Sequence, residues 1–238
     1  FNSGFTANQA LLKHLPGKKD LVIADKLIHH SIAQALLQSS AKFKRYAHLD
    51  LINLKKLLEK YSKQFETIFV VTESVFSMDG DYPDLVSLLN LKNQFPFILI
   101  LDEAHGTGVF GKNGGGLAEE MRVLPDVDIL VGTLGKSLAS MGAYVLTNNS
   151  SIIKYLTNVA GEYIYSTFLP PSQVGAAHES IKLIKIFNKQ REKIRNLSKY
   201  FRNSLKPNNI LYESPIIPIL VGDPMETLIL RDSLLEKG

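Results

Sequence analysis

Two polar segments that follow apolar runs hold the residues best suited to chemistry. Lys136 lies in the loop Thr133-Leu134-Gly135-Lys136, directly after the apolar run 129–131. Asp102 ends another apolar run, 97–101. A carboxylate at such a position is costly unless it has a partner. A lysine amine in a loop can form a Schiff base with a carbonyl compound, and a carboxylate can hold a ring N–H⁺.

A pyridoxal phosphate enzyme needs this combination of lysine and carboxylate. The lysine carries the cofactor as a Schiff base, and the carboxylate keeps the pyridine nitrogen protonated so that the ring accepts electrons. Each residue alone also has a simpler interpretation. A loop lysine is usually solvated, and Asp102 could be a helix cap or a metal ligand. His105, three residues further on, could hydrogen-bond a phenolic oxygen or be a core histidine.

Three further segments could contribute to the same site. Ser3-Gly4-Phe5-Thr6-Ala7-Asn8 is a glycine turn leading into a helix, whose free N–H groups suit a phosphate. His29 and His30 stand at a strand-to-helix junction, where an imidazole could stack on a flat ring. Neighbouring helix positions point in different directions, so these histidines would seldom share an ion, and no metal site is predicted. The polar turn 73–81 closes another strand.

The composition is that of an ordinary globular protein. The chain has 238 residues, of which 45% are hydrophobic and 21% charged, enough for one large domain or one domain and part of another. The net charge is +4, and much of the basic excess lies in the stretch 182–202. There it is interleaved with apolar residues, which indicates a solvated helix face rather than a nucleic-acid surface.

The absence of cysteine excludes disulfides, thiolate metal sites and cysteine nucleophiles. It fits the reducing cytoplasm, which we predict as the location. No stretch is apolar enough to span a membrane, and no signal peptide is visible. The chain opens at Phe1 without Met, so we expect a fragment of a longer protein.

Short apolar runs alternate with amphipathic helical patterns along the chain. Strands are predicted at Leu21-Val22-Ile23-Ala24, 67–72, 97–101, 129–131 and 143–146. Helices are predicted from Leu51, with Asp50 as the cap, and over 84–93. The alternation predicts an α/β fold, a mostly parallel sheet flanked by helices. Ligands of such sheets bind at the carboxyl ends of the strands, where Asp102 and the Lys136 loop both fall.

The C-terminal third is predicted to leave this sheet. A long helix is expected from Pro170-Pro171 to about 203, then a strand over 216–221 and a helix over 224–237. We therefore predict a cofactor-binding large domain over 1–180. Residues 181–238 would be a connecting helix and the start of a smaller C-terminal α+β domain.

Taken together and in order, the segments resemble the α-oxoamine synthases, pyridoxal phosphate enzymes of the fold type I aminotransferase group. The segments that carry the resemblance are Ser3-Gly4-Phe5-Thr6-Ala7-Asn8, Ala24-Asp25-Lys26-Leu27-Ile28-His29, Val75-Phe76-Ser77-Met78-Asp79-Gly80-Asp81, Asp102-Glu103-Ala104-His105-Gly106-Thr107-Gly108, Gly132-Thr133-Leu134-Gly135-Lys136 and Tyr165-Ser166-Thr167-Phe168-Leu169-Pro170-Pro171. They extend over most of the chain. The resemblance implies the large-domain fold of that group.

The resemblance also implies residue roles. Lys136 would be the Schiff-base lysine and general base, Asp102 would pair with the pyridinium, and His105 with the phenolic oxygen. His29 would stack over the ring. The remaining implied contacts to the cofactor come from Gly4, Phe5, Ser77, Thr133, Ser166 and Thr167. Ser166 and Thr167 would reach the cofactor phosphate of a neighbouring subunit, which implies a homodimer with shared active sites.

Within the family, the segments 104–108 and 165–171 most resemble members that join L-alanine to pimeloyl-CoA or pimeloyl-carrier protein, with loss of CO₂, in biotin synthesis. The alternative is a sibling that uses glycine and acetyl-CoA. A non-catalytic fold type I subunit is the non-enzyme alternative, but such subunits typically lose the lysine that Lys136 supplies.

The sequence departs from the family pattern at a few positions. Glu103 stands where a second Asp is common, Gly115 or Gly116 where an Arg often occurs, and Ala139 where Gly is frequent. None of them has an assigned role. The resemblance further implies that two substrate-contacting arginines, in an N-terminal segment and a C-terminal domain, fall outside these residues.

Overall fold

A six-stranded sheet organises the computed structural model, which describes residues 1–205 and 212–238. The strand order is β2-β1-β3-β4-β5-β6. The strands are β1 (Leu21–Asp25), β2 (Lys42–Tyr46), β3 (Ile68–Glu73), β4 (Ile98–Asp102), β5 (Ile129–Thr133) and β6 (Ala143–Thr147). The first five are parallel, and β6 pairs antiparallel with β5. The mostly parallel sheet confirms the predicted α/β class.

Helices cover both faces of the sheet, which explains why the central strands are apolar throughout. Alternate residues of one strand enter different cores: Leu99 and Leu101 pack on one face, and Ile100 packs on the other. The helices are α1 (Gly4–His14), α2 (His30–Gln38), α3 (Leu51–Tyr61), α4 (Leu85–Asn90), α5 (Leu117–Glu120), α6 (Ser150–Val159), α7 (Gly161–Ile164), α8 (Pro171–Ile184), α9 (Asn188–Leu205) and α10 (Pro224–Glu236).

Side-chain caps fix where several of these helices begin. The predicted cap Asp50 accepts the Asn53 N–H at the start of α3. Ser3 caps α1 in a capping box with Thr6, so the Ser3-Gly4-Phe5 turn is the first turn of a helix. These caps confirm that the predicted strand-to-helix alternation has its local signals in the expected places.

Three sequence expectations were wrong or incomplete. The edge strand β2 was missed because its sequence Lys-Phe-Lys-Arg-Tyr is mostly exposed and basic. The helix predicted from 170 to 203 is two helices, α8 and α9. Arg191 of α9 spans the break, and its guanidinium donates to the carbonyl of Ile184 at 2.5 Å and to that of Lys112 at 2.6 Å.

The strand predicted over 216–221 is also wrong. This segment is not in a strand, and no described strand pairs with it. Its Ile216 carbonyl instead accepts a hydrogen bond from Arg202 at 3.0 Å. The division at residue 180 and the small C-terminal domain stay predictions. Over residues 1–205 and 212–238, no helix has the length and apolar character that crossing a bilayer requires.

Candidate active site

The last residues of four neighbouring strands are polar and buried. Asp25 ends β1, Glu73 ends β3, Asp102 ends β4 and Thr133 ends β5. Glu73 and Asp102 are direct register partners. Because parallel strands place their carboxyl ends along one edge, these groups collect at the site predicted for a ligand.

Lys136 and His105 come together at this edge. The Lys136 Nζ lies 2.5 Å from the His105 Nε2. Lys136 is exposed as a residue, but the partial burial of its amine lowers its pKa, opposed by the charges of Asp102 and Glu73. Burial, with the Lys136 charge second, lowers the pKa of His105 to about 4, so this imidazole is neutral near pH 7. The site thus places a lysine amine of lowered pKa in contact with a neutral imidazole.

The loop that carries Lys136 is closed by hydrogen bonds at its base. The Thr133 hydroxyl donates to the Gly142 carbonyl at 3.1 Å and accepts the Gly135 N–H at 3.2 Å. The Ser137 hydroxyl donates to the Thr107 carbonyl at 2.5 Å. Thr133 therefore holds the loop, in addition to its predicted contact with the cofactor.

Ala139 in this loop has a φ of 49°. A side chain at such a φ is strained, whereas glycine is not. The departure from the family's frequent glycine at this position therefore has a conformational cost.

Asp102 is held through both carboxylate oxygens. The Ala104 N–H donates to its Oδ1 at 2.9 Å, and the Asn8 amide donates to its Oδ2 at 2.9 Å. Only 5% of the residue is exposed. Each oxygen keeps a lone pair, so Asp102 can accept a further N–H, as a pyridinium partner must.

His29 caps helix α2 with its side chain. The Ser31 N–H donates to the His29 Nδ1 at 3.2 Å, and the Ser31 hydroxyl lies 2.8 Å from the same nitrogen. Burial lowers the pKa of His29, which favours the neutral ring. The backbone N–H of His29 donates to the Glu73 carboxylate. The His29 ring is thus fixed at the strand edge by its own helix start.

The first turn of α1 lies beside the Lys136 loop. A Cβ built on Gly4 would lie 3.8 Å from the Cβ of Thr133. Phe1 and Ala143, at the start of β6, exchange two backbone hydrogen bonds of 2.9 Å. The N–H groups of Gly4 and Phe5 have no partner among the described residues. These free donors at a helix start fit an anionic group such as a phosphate.

Three of the residues predicted to contact the cofactor form no hydrogen bond with the other predicted site residues within the described part of the chain. Ser77 is half-buried in the turn after β3. The Ser166 hydroxyl accepts a hydrogen bond of 2.7 Å from Asn2, next to the cap of α1. Thr167 is exposed. Their predicted roles need a cofactor or a second subunit and stay predictions.

Sequence reasoning assigned no role to Asn8, Ser31 or Glu73, all of which are buried at the site. Asn8 and Gln9 are the two polar residues among the buried residues of α1, and the others are alanine and leucine. A buried amide in such a pattern is the signal that could have singled it out. Burial, with the Asp102 charge second, raises the pKa of Glu73 to about 8.

A second titratable cluster links three loops at the same edge. The His48 Nδ1 lies 2.8 Å from the Asp25 carboxylate, and its Nε2 lies 2.9 Å from that of Asp81. Burial disfavours the charged ring, but the hydrogen bonds to both carboxylates outweigh it and raise the pKa of His48 to about 10. His48 is therefore an imidazolium that ties the end of β1 to the segments after β2 and β3.

Two departures from the family pattern, at Glu103 and at Gly116, are in contact in the structure. The buried Glu103 carboxylate accepts the N–H groups of Leu117 and Ala118, at 3.1 and 2.8 Å. A Cβ on Gly116 would overlap this carboxylate. Burial raises the pKa of Glu103 to about 7. The longer acid and the absence of a side chain at Gly116 are thus physically linked.

The profile of the aminotransferase class I and II family matches residues 1–238. The chain belongs to this family of enzymes. A relative from Haemophilus influenzae named "Putative 8-amino-7-oxononanoate synthase" is 43% identical over 242 residues, which cover 100% of this chain and 63% of the relative. The chain thus spans less than two thirds of the length of the curated relatives that it matches.

Solved structures of the family superpose closely on the chain. An S. paucimobilis serine palmitoyltransferase with bound pyridoxal phosphate and myriocin has a TM-score of 0.95 at 28% identity, covering 100% of this chain and 62% of its own. The 8-amino-7-oxononanoate synthase from Francisella tularensis has a TM-score of 0.86 at 34% identity, covering 100% and 69%. These neighbours confirm the predicted fold and support pyridoxal phosphate as the cofactor.

Proposed function

We propose that the protein is a pyridoxal phosphate-dependent acyltransferase that joins L-alanine to pimeloyl-CoA or pimeloyl-carrier protein. The reaction forms a bond between the alanine Cα and the thioester carbonyl carbon, and it releases the thiol and CO₂ to give 8-amino-7-oxononanoate. The observation that carries the proposal is the Lys136–His105 contact beside the buried Asp102. It is supported by relatives that bear the name of this synthase.

The residues present fit the cofactor. Lys136 would bind its aldehyde carbon, Asp102 would accept the pyridine N–H, and His105 would hydrogen-bond the phenolic oxygen. The free N–H groups of Gly4 and Phe5 would take the phosphate. Ser77 and Thr133 are further contacts in this proposal, and His29 is the stacking group. When bound, pyridoxal phosphate supplies the electron sink that acidifies the substrate Cα–H.

Lys136 would be the base in this proposal once the alanine amine has displaced it from the cofactor. Since burial lowers the pKa of its amine, a larger fraction is neutral near pH 7 and can take the proton from the alanine Cα. The same amine returns a proton to that carbon after CO₂ has left. His105 is neutral at this pH and donates or accepts a hydrogen bond without adding charge. Asp102 stays in place through its bonds to Asn8 and Ala104.

The proposal includes a homodimer in the cytoplasm with shared active sites. Ser166 and Thr167 would contact the cofactor phosphate of the neighbouring subunit. The flanking Tyr165 is 88% exposed and Phe168 is 79% exposed. In the proposed dimer, the other subunit would cover both of these apolar side chains. The domain division, 1–180 and 181–238, belongs to this proposal too.

A second acyl acceptor has specific support. The serine palmitoyltransferase structure superposes with the higher TM-score, 0.95 against 0.86, although its identity is lower. Transfer of an acyl group to serine is therefore the competing function. The glycine-using 2-amino-3-ketobutyrate CoA ligase remains the other alternative within the predicted family.

Substrate comparison tests the proposal. The full-length protein, loaded with pyridoxal phosphate, is mixed with alanine and pimeloyl-CoA, with glycine and acetyl-CoA, or with serine and a long-chain acyl-CoA. We expect thiol release and a product with the mass of 8-amino-7-oxononanoate from alanine alone. Turnover with serine and a long-chain acyl-CoA would move the assignment to the competing function. A protein that stays colourless with the cofactor would overturn the enzyme proposal.

A further inference from the structure

One side chain connects two of the groups assigned to the cofactor ring. Asn8, on the second turn of α1, is 2% exposed. Its Nδ2 donates to the Asp102 Oδ2 at 2.9 Å and to the Ser31 Oγ at 3.0 Å. Both amide hydrogens are therefore used, one toward β4 and one toward α2.

Chemistry fixes which way the Asn8 amide faces. If the amide were turned over, its oxygen would face the Asp102 carboxylate, and two acceptors would meet without a proton between them. The Asn8 Oδ1 has no hydrogen-bond partner among the described residues. The Asn8 nitrogen thus donates two hydrogen bonds while its buried oxygen accepts none. Burying an unpaired oxygen costs free energy, which a side chain that served only to fill space would not need.

The second donation extends the link to His29. The Ser31 hydroxyl has one hydrogen, and since it accepts from Asn8, that hydrogen is free for the His29 Nδ1 at 2.8 Å. The Ser31 N–H donates to the same Nδ1 at 3.2 Å. Two donors on Nδ1 place the proton of the neutral ring on Nε2. Asn8 therefore acts on the orientation of His29 through Ser31.

We propose that Asn8 is a positioning residue that holds the Asp102 carboxylate and, through Ser31, the His29 ring in one hydrogen-bonded unit for the cofactor. This inference rests on the proposed function. Without Asn8, Asp102 keeps only the donor at Oδ1, from Ala104. The titratable groups that then act on the loosened carboxylate are Glu73 from β3, Glu103, His29, Lys136 and Tyr144 from β6.

The chain offers a matched control on the same helix. Gln9 is 6% exposed, and its Nε2 donates to the Ser31 carbonyl at 3.0 Å. Gln9→Ala therefore removes a buried hydrogen bond between the same two helices and leaves Asp102 and the Ser31 hydroxyl paired. Ser31→Ala removes the hydroxyl that links Asn8 to the His29 Nδ1, while Asn8 keeps its bond to Asp102. The backbone N–H of residue 31 still donates to that nitrogen.

The test compares Asn8→Ala, Ser31→Ala and Gln9→Ala in the full-length protein with two readouts. In the loaded protein, the pH midpoint of the visible cofactor band is titrated together with turnover. We expect Asn8→Ala to shift the midpoint and to lower kcat by about 10–100-fold, the range seen when a group that orients a metal ligand is removed. Gln9→Ala should leave both the midpoint and kcat close to wild type. In the apo protein, ¹⁵N shifts of His29 should report Nε2–H in wild type. In Ser31→Ala, Nδ1 keeps the backbone N–H but loses the hydroxyl, so its ¹⁵N shift should move toward that of a less strongly hydrogen-bonded nitrogen.

Each result has a distinct meaning. If wild type binds pyridoxal phosphate and turns over, but Asn8→Ala matches Gln9→Ala in both midpoint and kcat, Asn8 is structural and the positioning role is wrong. An unchanged ¹⁵N shift of the His29 Nδ1 in Ser31→Ala would refute the link through Ser31. If wild type itself neither binds the cofactor nor condenses the substrates, the proposed function has failed. The ¹⁵N readout in the apo protein still tests the hydrogen-bonded link in that case.

Discussion

Glu73 and Asp102 are register partners at the ends of β3 and β4, so two buried carboxyl groups stand side by side at the site. Burial and the neighbouring charge raise the pKa of Glu73 to about 8. Glu73 therefore holds a proton near pH 7 and stays neutral beside Asp102.

Glu73→Gln should flatten part of the pH dependence of stability. Because the folded-state pKa is raised from 4.5 to about 8, the stabilisation from protonated Glu73 is full below pH 4.5 and is lost as pH rises through 8. Glutamine cannot titrate, and its oxygen can still accept the His29 N–H. Unfolding midpoints of the apo protein from pH 5 to 9 should fall less steeply in the variant.

A second group, Glu103, contributes to the pH dependence of stability over the same range, in the variant as in wild type. The pKa of Glu103 is raised to about 7, so Glu73→Gln reduces the slope without abolishing it. Equal slopes in wild type and variant would contradict the raised pKa of Glu73.

Lys136→Ala should abolish the yellow absorbance of bound pyridoxal phosphate and lower turnover by about 10³-fold or more, because it removes both the covalent anchor and the base. Absorption spectra after gel filtration and a thiol-release assay measure the two effects. Lys182→Ala, an exposed lysine paired with Glu179 on α8, is the control and should behave as wild type. Retained colour in Lys136→Ala would assign the anchor to another lysine.

His48→Ala should destabilise the fold by about 3 kcal/mol at pH 7, since it leaves Asp25 and Asp81 without their shared cation. The pKa of His48 is raised from 6.5 to about 10, so its stabilisation is full below pH 6.5 and is lost as pH rises through 10. The difference between wild type and variant in denaturant unfolding should therefore shrink toward pH 10.

His178 provides the comparison for that measurement. It is exposed on α8, and its Nδ1 lies 3.6 Å from the carboxylate of the neighbouring Glu179. His178→Ala should change the free energy of unfolding by less than about 0.5 kcal/mol at every pH. A similar loss in both variants would show that His48 contributes no more than a surface pair.

Ala139→Gly should stabilise the protein by up to about 1 kcal/mol, because glycine adopts the φ of 49° without strain. The gain is partly offset by the greater freedom of glycine in the unfolded chain. Ala176→Gly, on the exposed face of α8, should instead cost about 1 kcal/mol. Opposite signs in thermal unfolding would separate backbone strain from the general effect of glycine.

Local signals made much of the site predictable. Apolar runs ending in Asp102 and Thr133 place both residues at the carboxyl edge of a parallel sheet, and Ser3 marks the start of α1. The Asn8–Asp102 bond joins residues 94 positions apart. Neither segment alone contains that information, because it arises only when α1 packs on the sheet. The same holds for Arg191, whose bond to Lys112 accompanies the break between α8 and α9.

The pairing of Phe1 with Ala143 gives the site a mechanical property. It joins the turn that presents the N–H groups of Gly4 and Phe5 to the strand that closes the Lys136 loop. The segments that would bind the phosphate and the aldehyde carbon of the cofactor are therefore hydrogen-bonded to each other and would move together. Cofactor release would then require a concerted local opening, and the amides of Ala143 and Leu134 should exchange with solvent together, as one cooperative unit.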